Sequence, residues 1–164
     1  NALETGKLSF HFEKVNVTEL CADLIDVYRP NLESKRLQLN AVATNDHFAN
    51  ADKIKLKAAL DNMISNAVKY SPPGKEISLV LSETASMVRV KVSDQGAGFT
   101  NDDKKLLFQK FAKLSARPTA GESSTGLGLS ITKKIIEHMG GSISLESQAG
   151  SGSTFTLDVP VWNS

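Results

Sequence analysis

NMISNAVKYSPPG, residues 62–74, is the stretch on which the reading of this chain turns. Ile64, Ala67 and Val68 share one side at helical spacing, while Asn62, Asn66 and Lys69 stand at i, i+4 and i+7 on another, with Tyr70 beside them. The pattern predicts the second half of an amphipathic helix from about Lys53 to Tyr70, with Asp52 as its cap. The helix ends at Ser71, because Pro72 and Pro73 have no N–H to donate and Pro72 disfavours helical geometry in the residue before it. Asparagine is a mediocre helix former, so two of them stacked mid-helix need a reason. One reading is a solvated polar face. The other is that their amide oxygens ligate a hard cation such as magnesium while Lys69 meets a phosphate.

Towards the N terminus, the first seven residues are polar and uncommitted, and LSFHF (Leu8 to Phe12) alternates as a half-buried strand would. Asn16 and Glu19 have the spacing of a capping box, opening a helix whose apolar stripe is read as Leu20, Leu24, Val27 and Tyr28 and whose end falls near Glu33. LQLNAV (Leu37 to Val42) alternates again, and a short extended piece around His47 to Ala49 leads to Asp52. Towards the C terminus, Ile77, Leu79 and Leu81 alternate, as do Val88, Val90 and Val92, with a polar turn from Glu83 to Ser86, which predicts a hairpin. A short helix from Asn101 to Leu107 follows, then a stretch without periodicity from Ala112 to Thr125, read as a mobile loop. A last helix from about Gly126 to Met139 ends on Gly140 and Gly141, and two strands close the chain, Ser142 to Glu146 and Ser153 to Val159.

Two further segments carry chemistry. Asp94 closes an apolar strand, where a carboxylate is costly unless a donor meets it, and Gly96 and Gly98 permit positive φ and close backbone approach. Such a carboxylate suits the amino group of an adenine ring; the plainer reading is an ordinary turn. Ser123, Ser124, Thr125, Gly126 and Gly128 form a small-residue run into the last helix, where free N–H groups and the helix dipole suit phosphates; the plainer reading is a flexible helix start. The run lacks the glycine-lysine pair of a P-loop, and Ile131 stands where a dinucleotide fingerprint needs its third glycine. His11, His47 and His138 are read as structural, Phe108 and Phe111 as core, and Lys110 and Lys113 as surface charge placed within reach of a terminal phosphate.

Composition narrows the field. With 164 residues, 40% of them hydrophobic, the chain builds one sizeable core but not two. A formal net charge of +1 supplies no field to recruit nucleic acid or an anionic membrane. Cys21 lies among Leu20, Leu24 and Ile25 and reads as a core residue, which excludes a disulfide framework. No apolar run reaches membrane-spanning length, and the first residues lack the pattern of a signal peptide.

The order NMISNAVKYS, DQGAGF, LLFQKF, STGLGLS, GGSISLES resembles the asparagine and glycine boxes of histidine kinase ATP-binding domains, within the wider family that includes gyrase and mismatch-repair ATPases. The likeness runs from Leu8 onward. ALETGKL resembles the junction where the dimerisation helices of these kinases end, so residues 1–7 are expected to be linker and 8–164 the catalytic domain. The resemblance implies an α/β two-layer sandwich, with a mixed, mostly antiparallel sheet of about five to six strands covered on one face by three helices. It implies that Asn66 with Asn62 holds magnesium, Lys69 touches phosphate, Tyr70 packs on the nucleotide and Asp94, framed by Gly96 and Gly98, takes the adenine amino group of ATP. Thr125, Gly126, Leu127, Gly128 and Leu129 would line the phosphates, and Lys110 corresponds to the basic residue that reaches the terminal one. Ser123 and Ser124 stand where many members carry glycine, and Lys110 and Lys113 where arginine is frequent.

The implied reaction passes the γ-phosphoryl group of ATP to a histidine on a separate dimerisation domain and then to an aspartate of a response-regulator receiver domain. The implied setting is the cytoplasmic part of a bacterial membrane-bound kinase working as a homodimer, with no nucleic-acid or membrane contact by this domain. None of the three histidines is followed by an acidic residue as acceptor histidines are, so the acceptor is expected outside this chain. ATP-hydrolysing switches and anti-sigma-factor serine kinases share the boxes but carry a glutamate where Asn62 stands, and an amide cannot act as a general base. A domain that only docks a partner is disfavoured by the intact Asn66, Asp94 and glycines.

Overall fold

A computed structural model describes residues 9–43, 45–106 and 127–163. Its elements run β1 (Phe12–Asn16), α1 (Val17–Ser34), β2 (Gln38–Val42), β3 (Phe48–Asp52), α2 (Lys53–Tyr70), β4 (Glu76–Glu83), β5 (Met87–Asp94), α3 (Asn101–Leu106), α4 (Leu127–His138), β6 (Ser142–Ser147) and β7 (Ser153–Pro160). Five strands form the main sheet in the order β2-β4-β5-β7-β6. Only its β2–β4 pair is parallel; β4–β5, β5–β7 and β6–β7 are antiparallel. A smaller antiparallel sheet pairs β1 with β3.

The period-2 alternation places Ile77, Leu79, Leu81, Val88, Val90, Val92, Phe155, Leu157 and Val159 in the core. Helices α1, α2 and α4 pack over that side, α2 against β5 and α4 against β6. On the opposite face Arg89 meets Asp158 in a two-pronged ion pair at 2.8 and 2.9 Å, across strands held in that register. The two-layer sandwich expected from the sequence is therefore present; among the described residues its main sheet has five strands, and the other two form the small sheet, tied to the end of β7 by a bridge between Ala49 and Val161.

The Asn16 side chain accepts from Glu19 N–H at 3.0 Å and opens α1 as the capping pattern predicts. Cys21 is buried, and burial pushes its thiol up to about 12, which keeps it protonated and inert. Gly140 takes the left-handed φ of +84° that ends α4. Two expectations need correction. The first strand is Phe12–Asn16 rather than Leu8 to Phe12, because β3 selects the pairing partner: Phe12 faces Asp52 in register, and His11 N–H is drawn instead to the Asp52 side chain. Val27 is 63% exposed rather than part of the apolar stripe; α1 buries Leu20, Cys21, Leu24, Ile25 and Leu32, a face to which Val27 does not belong.

Candidate nucleotide site

Helix α2 is fixed at both ends, which is what places its polar stripe. At its start the Asp52 carboxylate accepts from Lys55 N–H at 3.1 Å and His11 N–H at 2.9 Å, and Lys55 Nζ lies 3.2 Å away. At its end Ser71 Oγ donates to Ala67 O at 2.6 Å. Lys35, only 6% exposed, sends Nζ to Val68 O at 2.7 Å and Lys69 O at 3.3 Å, so a cation meets the negative end of the helix dipole. The turn that carries Asn66, Lys69 and Tyr70 is thereby anchored by a residue that no sequence motif marks.

Asn66 and Asn62 are both half-buried, one turn apart. Asn62 Nδ2 donates to Thr132 Oγ1 on α4 at 2.8 Å, leaving its amide oxygen as the atom available to a cation. A groove of about 310 Å³ runs between the two helices, lined by Asp61, Asn62, Ser65 and Thr132 among others. The polar stripe is thus joined to the helix that follows the small-residue run.

Asp94 ends β5, half-buried. Its Oδ1 accepts from Gly96 N–H at 2.9 Å, and Ser153 N–H, opposite it on β7, also donates to the carboxylate. Burial pushes the carboxyl above the ordinary carboxylate range, and the two backbone donors only partly offset that. Gly96 does not have positive φ. It is glycine because a Cβ there would run into the carbonyl oxygen of Tyr70, the last residue of α2. Gly98 has φ of +72°, and a Cβ on it would collide with the Gln148 carbonyl in the β6–β7 turn. The Asp94–Phe99 strap is therefore wedged between the end of α2 and that turn. Tyr70 meets Phe99 edge-on at 5.6 Å between ring centroids.

The structure brings Asp94, Gly96, Gly98 and Tyr70 together and sets Asn62, Asn66 and Lys69 on the same helix as Tyr70. Leu127 and Gly128 open α4, and Leu129 is buried in the core. Lys110, Lys113, Ser123, Ser124, Thr125, Gly126, Phe108, Phe111 and the expected loop from Ala112 to Thr125 lie outside the described residues. No sequence motif marks Lys35, Thr132 or Ser147, a buried serine at the end of β6; each acts through partners far along the chain.

Residues 51–163 match the family described as histidine kinase-, DNA gyrase B-, and HSP90-like ATPase. The chain is 30% identical over 148 residues to the sensor-like histidine kinase SenX3 of Mycolicibacterium smegmatis, covering 90% of this chain and 38% of that protein. It is 31% identical over 163 residues to the sensor histidine kinase GacS of Pseudomonas protegens, covering 96% of this chain and 18% of that one. Among solved structures, the catalytic domain of histidine kinase ThkA superposes with a TM-score of 0.81 at 27% identity over 93% of this chain and 97% of the other. The mycobacterial sensor histidine kinase MprB shares the fold at a TM-score of 0.80 and 23% identity, over 93% of this chain and all of the other. The chain thus spans well under half the length of these two sequence relatives.

Proposed function

This chain belongs to the family of histidine kinase-, DNA gyrase B- and HSP90-like ATPases, and from that premise we propose that it is the ATP-binding catalytic domain of a sensor histidine kinase. It donates the γ-phosphoryl group of ATP to a histidine on a separate dimerisation domain, for relay to a response-regulator aspartate. The observation that carries this choice within the family is Asn62. It stands one turn before Asn66, where hydrolysing relatives are expected to carry a glutamate, and its Nδ2 is engaged by Thr132. An amide there activates neither water nor a hydroxyl, whereas an acceptor imidazole brings its own nucleophilic nitrogen.

In this reading Asp94 takes the adenine amino group, Tyr70 packs against the nucleotide, and Lys69 and Lys110 meet phosphate. Thr125, Gly126, Leu127, Gly128 and Leu129 form the phosphate end. Asn66 and Asn62 hold magnesium. Neutral amide oxygens fit that ion, which takes hard oxygen ligands and is commonly completed by nucleotide phosphates and water. Among the described residues no group of three or more His, Cys, Asp and Glu side chains is placed to hold a metal ion. Residues 1–7 would end the linker from the dimerisation domain. The parent would be a homodimeric kinase with this domain in the cytoplasm; among the described residues no helix is long and apolar enough to cross a membrane.

Phosphoryl transfer depends on an in-line nucleophile held near the γ-phosphate, so the chain alone binds ATP without consuming it. Radiolabelled ATP is expected to leave no phosphate on this chain and to label the cognate dimerisation domain when that is added. Robust hydrolysis by the lone chain, abolished by Asn66→Ala, would move it to the ATP-hydrolysing switches. Calorimetry on Asn66→Ala separately tests the metal: the magnesium-dependent part of ATP affinity should vanish, and unchanged affinity would remove Asn66 from the site.

A further inference from the structure

The geometry points to Ser147 as a positioning residue that sets where Asp94 stands against the adenine ring, an inference resting on the role of Asp94 proposed above. Ser147 closes β6 and is 9% exposed. In register it faces Ser153, which on its other side faces Asp94, so the three residues lie in one row across β6, β7 and β5. Phe99 N–H donates to Ser147 Oγ at 2.8 Å, Gly152 O lies 2.9 Å from the same oxygen, and so does Ser153 Oγ.

A hydroxyl has one proton and two lone pairs, which decides these bonds. Phe99 N–H can only donate and Gly152 C=O can only accept, so the single Ser147 proton goes to Gly152. The Ser153 hydroxyl must then be the donor in the third contact. All three capacities of Ser147 are used, and the hydroxyl has one orientation.

What these bonds tie down are the donors of Asp94. Its carboxylate accepts from Gly96 N–H and from Ser153 N–H. Ser147 holds Ser153 by its side chain, holds Phe99 at the far end of the strap containing Gly96, and holds Gly152 in the turn between. Lys104 Nζ on α3 adds a bond to the Ser147 carbonyl at 2.6 Å. Asp94, Lys104, Gly152, Ser153 and Thr154 line a cavity of about 530 Å³. A buried hydroxyl costs more than a methyl group unless its network is complete, and a complete network fixes geometry.

Losing this hydroxyl should therefore weaken nucleotides that donate to Asp94 more than those that do not. The probes are ATP and inosine triphosphate, whose ring carries a carbonyl in place of the 6-amino donor, titrated calorimetrically into the 164-residue chain. Ser147→Ala should weaken ATP about tenfold and inosine triphosphate no more than about threefold, the scale of one misplaced hydrogen bond. An equal loss for both nucleotides, as a purely structural role gives, overturns the inference, and so does no loss. If Ser147→Ala does not fold, Ser147→Cys, which keeps the bulk and only a weak donor, is judged by the same narrowing of preference. Wild type without a preference for ATP would remove the Asp94 reading itself, and Ser147 with it. A wild-type preference that Asp94→Asn abolishes and the Ser147 variants leave intact would overturn Ser147 alone.

Discussion

Asp52 and Asp94 each end a strand, and their surroundings favour opposite charge states. Asp52 is buried and receives His11 N–H, Lys55 N–H and Lys55 Nζ. Burial alone would raise its carboxyl, but those three donors outweigh it and hold the group below the ordinary carboxylate range. Asp94 has only two backbone donors, from Gly96 and Ser153, so burial prevails and the group is raised. A carboxylate whose donors suffice is a structural part, here the cap of α2. One left short of donors retains acceptor capacity that a ligand can use, at some cost to the empty protein.

The largest test of that contrast exchanges stability against binding. Asp52→Ala strips the α2 cap and leaves His11 N–H and Lys55 without their acceptor, so it should cost about 2–3 kcal/mol in urea unfolding. The folded fraction should still prefer ATP to GTP, because Asp52 is no part of the proposed site. Asp94→Asn should shift stability by less than about 1 kcal/mol while cutting a preference worth at least tenfold to about threefold or less. Loss of nucleotide preference in the Asp52 variant with retention in the Asp94 variant would reverse the assignment of the two aspartates.

A smaller effect separates the cation from the backbone donors. Lys55 Nζ is 3.2 Å from Asp52 and also stands 4.9 Å over the ring of Phe10. Lys55→Met should cost about 1 kcal/mol and raise the titration point of the Asp52 carboxyl towards that of Asp94, as followed by NMR. An unmoved titration would mean that the N–H donors alone account for the lowered value.

How far these roles were legible in the sequence follows from how local their causes are. The Asn16 and Asp52 caps, the β4–β5 hairpin and the asparagine stripe depend on neighbours within a few positions, and each lies where the pattern puts it. The strand at Phe12–Asn16 is not legible locally, because FEKVN has no clean alternation and is extended through its pairing with β3. Val27 stands on the exposed face, which its spacing from Leu24 does not reveal, because the side that is covered is decided by packing. Asp94, Gly96 and Gly98 were legible as a strand-end acidic motif. That Gly96 is required by the Tyr70 carbonyl was not, since the collision exists only once α2 is docked. Lys35 capping carbonyls 33 and 34 positions away, and Ser147 receiving Phe99 from 48 positions away, leave no local trace.

The smallest effect, and the sharpest on the comparison, is the pH dependence of stability. For Asp52 the folded carboxyl lies below its unfolded value of about 4, so its contribution is present above that pH and is lost as pH falls through the folded value. For Asp94 the folded carboxyl lies above the unfolded one. The folded chain then holds the proton more tightly, and stability falls as pH rises from about 4 through the folded value before levelling off. Urea midpoints measured against pH should show wild type losing ground to Asp94→Asn as pH rises above about 4, and losing ground to Asp52→Asn as pH falls below it. Saturating ATP supplies the missing donor to Asp94, favours its charged form and should flatten the first slope while leaving the second untouched. Parallel curves for both variants would show that the two carboxylates do not differ, and a first slope indifferent to ATP would separate Asp94 from the adenine ring.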